Sequence, residues 1–113
     1  MTARARALLV FVNEADVWHD RPLYQAIVER LHQLGIAGAT AQAGLMGFGH
    51  HMRLHHKGLF GIADDRPVTI VSVDDEARLR SILPDVRAMV SEGLIVLLEA
   101  EVVHNGHSSD ERE

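Results

Sequence analysis

Residues 44–61 read GLMGFGHHMRLHHKGLFG and lie between two strand-like runs, so their reading decides the fold. The stretch holds five of the nine glycines and four of the eight histidines, with Arg53 and Lys57, the only lysine. Hairpin loops usually take about 2–5 residues, and a much longer glycine-rich excursion within a small domain is usually functional or disordered. The middle of the chain is therefore strand, long basic loop, strand, and the remainder is a scaffold that presents the loop.

Upstream of the loop, residues 37–46 (AGATAQAGLM) read as a strand of small side chains that permits close approach of a helix or a neighbouring subunit. Downstream, Arg66-Pro67 opens a strand over 68–73 (VTIVSV), dense in β-branched residues. Residues 7–12 (ALLVFV) form the first strand. A polar loop over 13–20 follows, and Trp18 within it either folds back on the core or stacks on a ligand or partner. Asp20 near the N-cap and Pro22 in the first turn start a helix with an apolar stripe of Leu23, Ile27, Leu31 and Leu34, ended by Gly35. The second helix starts at Asp74-Asp75-Glu76, with acid at the positive end of the helix dipole. Its stripe is Leu79, Ile82, Leu83, Val86, Met89 and Val90, it closes at Gly93, and Pro84 should kink it or split it in two. Residues 94–103 (LIVLLEAEVV) are the fourth strand, and 104–113 are an acidic tail expected to be disordered.

The order β-α-β-β-α-β predicts one α+β domain over 1–103 with a ferredoxin-like four-stranded antiparallel sheet and both helices on one face. The other face of such a sheet should be polar in a monomer, giving alternation along each strand. It does not alternate: residues 7–12 and 94–98 are apolar on both faces, and Val68 and Ile70 point opposite to Val71 and Val73. Leaving half a dozen such side chains wet would forgo roughly 1.5–3 kcal/mol each. That is comparable to a domain's whole stability of about 5–15 kcal/mol. An obligate homo-oligomer is expected.

A length of 113 residues leaves room for one domain, and a net charge of -5 argues against a nucleic-acid binder. The chain has no cysteine, which excludes disulfides and thiolate zinc sites. The apolar run 7–12 is too short for a signal peptide or a membrane span, and neither helix reads as a membrane-surface helix, so a cytoplasmic location is expected.

Gly47-Phe48-Gly49 lets backbone approach a ligand and turn N–H groups toward an anion. Arg53 and Lys57 can add charge-assisted contacts, and Arg21 near a helix N-terminus can assist. The expected ligand-binding set is Asp16, Arg21, Gly47, Phe48, Gly49, Arg53 and Lys57, holding a small anion. A second reading is a divalent-metal sensor: His51 and His55 are spaced i, i+4, with His50 and His56 beside them. A third is a small enzyme of the same topology. The strands are nearly pure aliphatic, however, and no triad order or paired-carboxylate spacing is evident, so no catalytic residue is assigned.

The segments 14–24 (EADVWHDRPLY), 35–40 (GIAGAT) and 44–49 (GLMGFG) resemble a bacterial and archaeal family known as domain of unknown function 190, similar in fold to the PII nitrogen-signalling proteins. The resemblance runs from about Leu8 to Val103. It implies a ferredoxin-like trimer whose sheets face an inner core, and it matches the 44–61 excursion to the PII signalling loop. It further implies an adenine nucleotide held in clefts between subunits near the loop base, and a regulated partner such as a membrane transporter or channel. The chain departs from the family pattern in two places and from the PII proteins in a third. Asp20 stands where Gly is expected, histidines crowd the loop, and VSEGLIV replaces the glycine-and-lysine phosphate loop before the last strand.

Overall fold

The computed structural model describes residues 4–49 and 65–106. The elements are β1 (Ala5–Asn13), β2 (Val17–Trp18), β3 (Arg21–Pro22), α1 (Leu23–Gln33), β4 (Thr40–Ala43), β5 (Pro67–Asp75), α2 (Glu76–Met89) and β6 (Leu94–Ala100). The main sheet has the order β4-β5-β1-β6 with every neighbour antiparallel. This is the expected ferredoxin-like arrangement, with the first and third long strands at the centre.

Alternation along the two central strands sends Leu8, Val10 and Val12 of β1 and Val68 and Ile70 of β5 to one side, where all are buried. They meet Leu23, Ala26, Ile27 and Leu31 of α1 and Leu79, Ile82, Val86 and Met89 of α2 in a single core. Helix α1 ends as its sequence requires. Gly35 takes φ +86°, and the Ile36 and Gly35 N–H groups donate back to the carbonyls of Leu31 and His32 at 3.1 Å each. That is the Schellman arrangement, with buried Ile36 as its apolar anchor.

Four sequence expectations are corrected. The strand expected over 37–46 is only Thr40–Ala43. At its start the Ala37 N–H donates to Asp74 Oδ2 (3.0 Å), and the Ser72 hydroxyl donates to the Gly38 carbonyl (2.5 Å), so buried side chains of β5 replace the ladder. At its end the Gly44 N–H donates to the Pro67 carbonyl (2.7 Å), but Pro67 has no N–H to return and pairing stops. The last strand ends at Ala100 rather than Val103, because Ala100 is opposite Ala5, where β1 begins. Asp20 is not an N-cap: β2 and β3 form a small hairpin whose turn residues His19 and Asp20 take φ 50° and 67°. Two positive φ values make the turn that matches hairpin twist, and Asp tolerates this conformation nearly as Asn does. Finally, α2 is not split: it runs continuously through Pro84, which lies on the exposed face where water can replace the missing donor.

Asp74 is the polar hinge of this layer, buried and accepting from the backbone N–H groups of Ala37 (3.0 Å) and Asp75 (2.7 Å). Asp74→Ala leaves both donors without partners at about 1–3 kcal/mol each. A loss of about 2–5 kcal/mol is expected in urea unfolding, with Asp74→Asn losing less because its amide oxygen can still accept.

The opposite face of the sheet carries no helix among the described residues. Register brings Ala7, Leu9 and Phe11 of β1 beside Val71 and Val73 of β5 and Leu94, Val96 and Leu98 of β6 on that side. Phe11 (37%), Leu98 (47%) and Leu94 (58%) are exposed in the single chain. The strands are thus apolar on both faces, as their sequence indicates. No helix of the described residues is long and apolar enough to cross a membrane.

Candidate functional site

The segments flanking the long loop converge with the starts and ends of three strands at one edge of the open face. Gly44, Met46, Gly47, Phe48 and Gly49 form one wall of a cleft of about 630 Å³. Phe11 to Asn13 at the end of β1, Pro67 to Thr69 at the start of β5, and Glu92 to Leu94 before and into β6 form the others. The chains approach closely at two glycines. A Cβ on Gly44 would stand 3.0 Å from Pro67 Cγ, and one on Gly93 would stand 2.5 Å from the Phe11 carbonyl oxygen. Phe48 and Met46 are 68% and 58% exposed beside this cleft, so its rim is greasy and open. Among the described residues lining it there is one carboxylate, Glu92, and no cation.

A clamp fixes the stem where the chain returns from the loop. Arg66 Nε and Nη2 donate to the two oxygens of Glu14 at 2.8 Å each, and the Glu14 N–H donates to the Arg66 carbonyl at 2.7 Å. The Ala15 N–H donates to Asp65 Oδ1 at 2.7 Å. Hydrogen bonding from Arg66 is the main cause that holds the Glu14 carboxyl below the usual carboxylate range; partial desolvation opposes it and the guanidinium charge adds to it. A folded-state pKa below the unfolded value means the clamp stabilises above the unfolded pKa and is lost as pH falls through the folded one. Carboxyl-carbon NMR is expected to show Glu14 titrating below an ordinary glutamate, and Arg66→Ala to return it to the ordinary range.

Of the residues expected to bind ligand, Gly47, Phe48 and Gly49 come together in the cleft. Asp16 is a turn-former: its carboxylate accepts from the Asn13 N–H (2.9 Å) and its carbonyl from the Leu23 N–H (2.8 Å). It lies beside the cleft only through Asn13. Arg21 lies elsewhere, paired with Glu29 in a second cleft between the helices. Arg53 and Lys57, and the metal candidates His51 and His55, lie outside the described residues. Among the described residues no group of three or more potential ligands could hold a metal ion. Sequence reading missed Glu14, Asp65 and Arg66 as the stem clamp, and took Gly93 only for a helix terminator. The acidic residue next to Asn13 and the Arg-Pro pair before β5 were the available signals, but nothing in the sequence pairs them.

Comparison with known proteins agrees with the fold. A UPF0166 protein of Aquifex aeolicus (strain VF5) is 26% identical over 101 residues, covering 89% of this chain and 95% of the relative. A UPF0166 protein of Methanocaldococcus jannaschii is 28% identical over 100 residues, covering 88% and 92%. Among solved structures, CPII, a nitrogen regulatory PII-like protein of Thiomonas intermedia K12 bound to ADP, AMP and bicarbonate, superposes with a TM-score of 0.68 at 17% identity. That match covers 89% of this chain and 90% of the other, and it extends the ferredoxin-like description to a PII-like fold. A family model spans residues 5–102, nearly every described residue, and the chain therefore belongs to the DUF190 family, described as Uncharacterized ACR.

Proposed function

We propose that this chain is a PII-like regulatory protein, not an enzyme. It assembles as a homotrimer through the open sheet face and binds an adenine nucleotide at the cleft beside the long loop. The loop over 47–61 then acts on a partner, such as a membrane transporter. One observation carries the reading: the glycine-lined cleft opens at the edge of an apolar sheet face that no helix of the described residues covers. A second copy on that face would close the cleft, so that ligand and subunit contacts share one boundary. The adenine ring would lie against Phe48 and Met46, with backbone N–H groups of 47–49 turned to polar atoms. The described walls carry no cation, so the phosphate charge is met by Arg53 and Lys57 or by a neighbouring copy. The PII-like neighbour bound to ADP and AMP supports the ligand class.

Calorimetry with AMP, ADP, ATP and cyclic AMP tests the reading on the assembled protein. Saturable heat from at least one is expected. The double variant Arg53→Ala, Lys57→Ala is expected to weaken it by at least about tenfold, since a hydrogen bond to a charged group contributes about 1.5–3 kcal/mol. No heat and no thermal shift with any of the four would remove the nucleotide from the proposal.

A further inference from the structure

A second cleft of about 490 Å³ lies along the seam between α1 and α2 and shares no lining residue with the cleft beside Gly47. We infer that this seam binds a free α-amino acid with an apolar side chain. Its floor is apolar, formed by Ala26 of α1 and Met89 of α2, both buried. Trp18, carried there by the β2–β3 hairpin, also lines it with its half-buried indole. Of the two alternatives for Trp18, the structure shows the first: it folds back and packs against the core, with the His19 ring 4.5 Å away, and its remaining exposed surface lines the cleft.

The rim sets the ligand class. Two ion pairs stand on it: Arg21 with Glu29, and Arg30 with Asp85, the latter bridging the helices at 2.8 Å. Two guanidinium groups and two carboxylates make the rim neutral. A nucleotide or inorganic phosphate attracted to the arginines would meet both carboxylates as well, which opposes a ligand of high net charge. A zwitterion carries both charges on one carbon. Its carboxylate accepts from a guanidinium and its ammonium donates to a carboxylate, so each rim group exchanges one opposite charge for another. All four side chains are roughly 35–46% exposed, and ion pairs at such exposure are weak and exchange partners at little cost. The side chain of the amino acid then displaces water over Ala26 and Met89, beside Trp18. Small Ala88 on α2 keeps the space open.

Because Trp18 is the only tryptophan, its fluorescence reports the seam directly. Titration of the full chain with L-leucine, L-methionine and L-phenylalanine is expected to give a saturable change with at least one. N-acetyl-leucine amide, in which both charges are masked, should give none. Asp85→Asn removes one rim charge, and Ala88→Leu fills the cleft at an exposed helix position while leaving both ion pairs in place. Each is expected to weaken the response by about tenfold or more. Circular dichroism and melting temperature verify that the variants fold. No saturable change with any of the three up to about 10 mM would overturn the inference, as would an equal response to the masked compound or full retention in both variants. The nucleotide reading is untouched by either result, since no nucleotide and no loop residue enters this test.

Discussion

Gly93→Ala is expected to cost about 3–5 kcal/mol, enough to leave much of the protein unfolded if its stability lies near the low end of the usual range of about 5–15 kcal/mol. Two independent causes add. Gly93 has φ +155°, which an L side chain rarely adopts, and strained backbone of this kind costs of order 1–3 kcal/mol. The new methyl group would also stand 2.5 Å from the Phe11 carbonyl oxygen and 2.9 Å from Val90 Cγ1. The first contact is backbone inside the central strand, which cannot move without breaking the β1–β6 ladder; overpacking of this sort typically costs about 1–3 kcal/mol. Gly35→Ala is the matching control. Its φ is +86°, but a Cβ there would meet nothing within 4 Å, so only the conformational term of about 1–2 kcal/mol applies. Urea unfolding of the two variants should therefore separate by at least about 1 kcal/mol, and equal losses would mean that the start of β6 can move away from β1.

The two glycines also mark what the sequence makes legible. Both are visible as helix terminators, because a helix stripe that ends at Gly is a local signal. Only Gly35 has that role, through its Schellman bonds; α2 already ends at Met89 with Val90 as its C-cap, so the expected close at Gly93 is corrected. The tighter constraint at Gly93 comes from Phe11, more than eighty positions away, and no local pattern carries it. The same division runs through the rest of the chain. Leu8, Val10 and Val12 could be assigned to one strand, and Leu79, Ile82 and Val86 to one helix, because periodicity is a property of neighbours. The missing strand residues at Ala37 and Gly38 could not, because they depend on buried Asp74 and Ser72 reaching across from β5. Asp20 was misread as a cap because Asp serves caps and positive-φ turns alike. The glycine expected there by family resemblance points to the turn instead. In the candidate site, Gly47 and Gly49 were legible as residues that let backbone approach closely. The Glu14–Arg66 clamp and the Arg30–Asp85 bridge join residues 52 and 55 positions apart, and any of several arginines could have answered either acid.

Leu98→Asp is expected to convert the assembled protein into single folded chains. In one chain Leu98 is 47% exposed on the open sheet face, directly opposite Ala7 of β1 and away from the helix-side core. A carboxylate there can stay in water, so the fold of the protomer should survive. In the proposed trimer the same position is covered, and the substitution acts twice. It forfeits most of the roughly 1.5–3 kcal/mol that a covered leucine contributes. It also asks for desolvation of a charge, which costs several kcal/mol per ion unless a partner cation is supplied. Symmetry repeats both effects in every subunit, so an assembly of three must absorb them three times. Light scattering should report about three times the 12.5 kDa chain mass for the wild type and a single chain mass for the variant, with an unchanged circular dichroism spectrum. Ala77→Asp, exposed in the first turn of α2, introduces the same charge away from the sheet and should leave the mass at three chains. A wild type that sediments as one chain at micromolar concentration would show that the apolar face is stable in water. A Leu98→Asp variant that remains assembled would place the subunit contact on another surface, and the cleft beside Gly47 would then not be closed by a second copy on the sheet face.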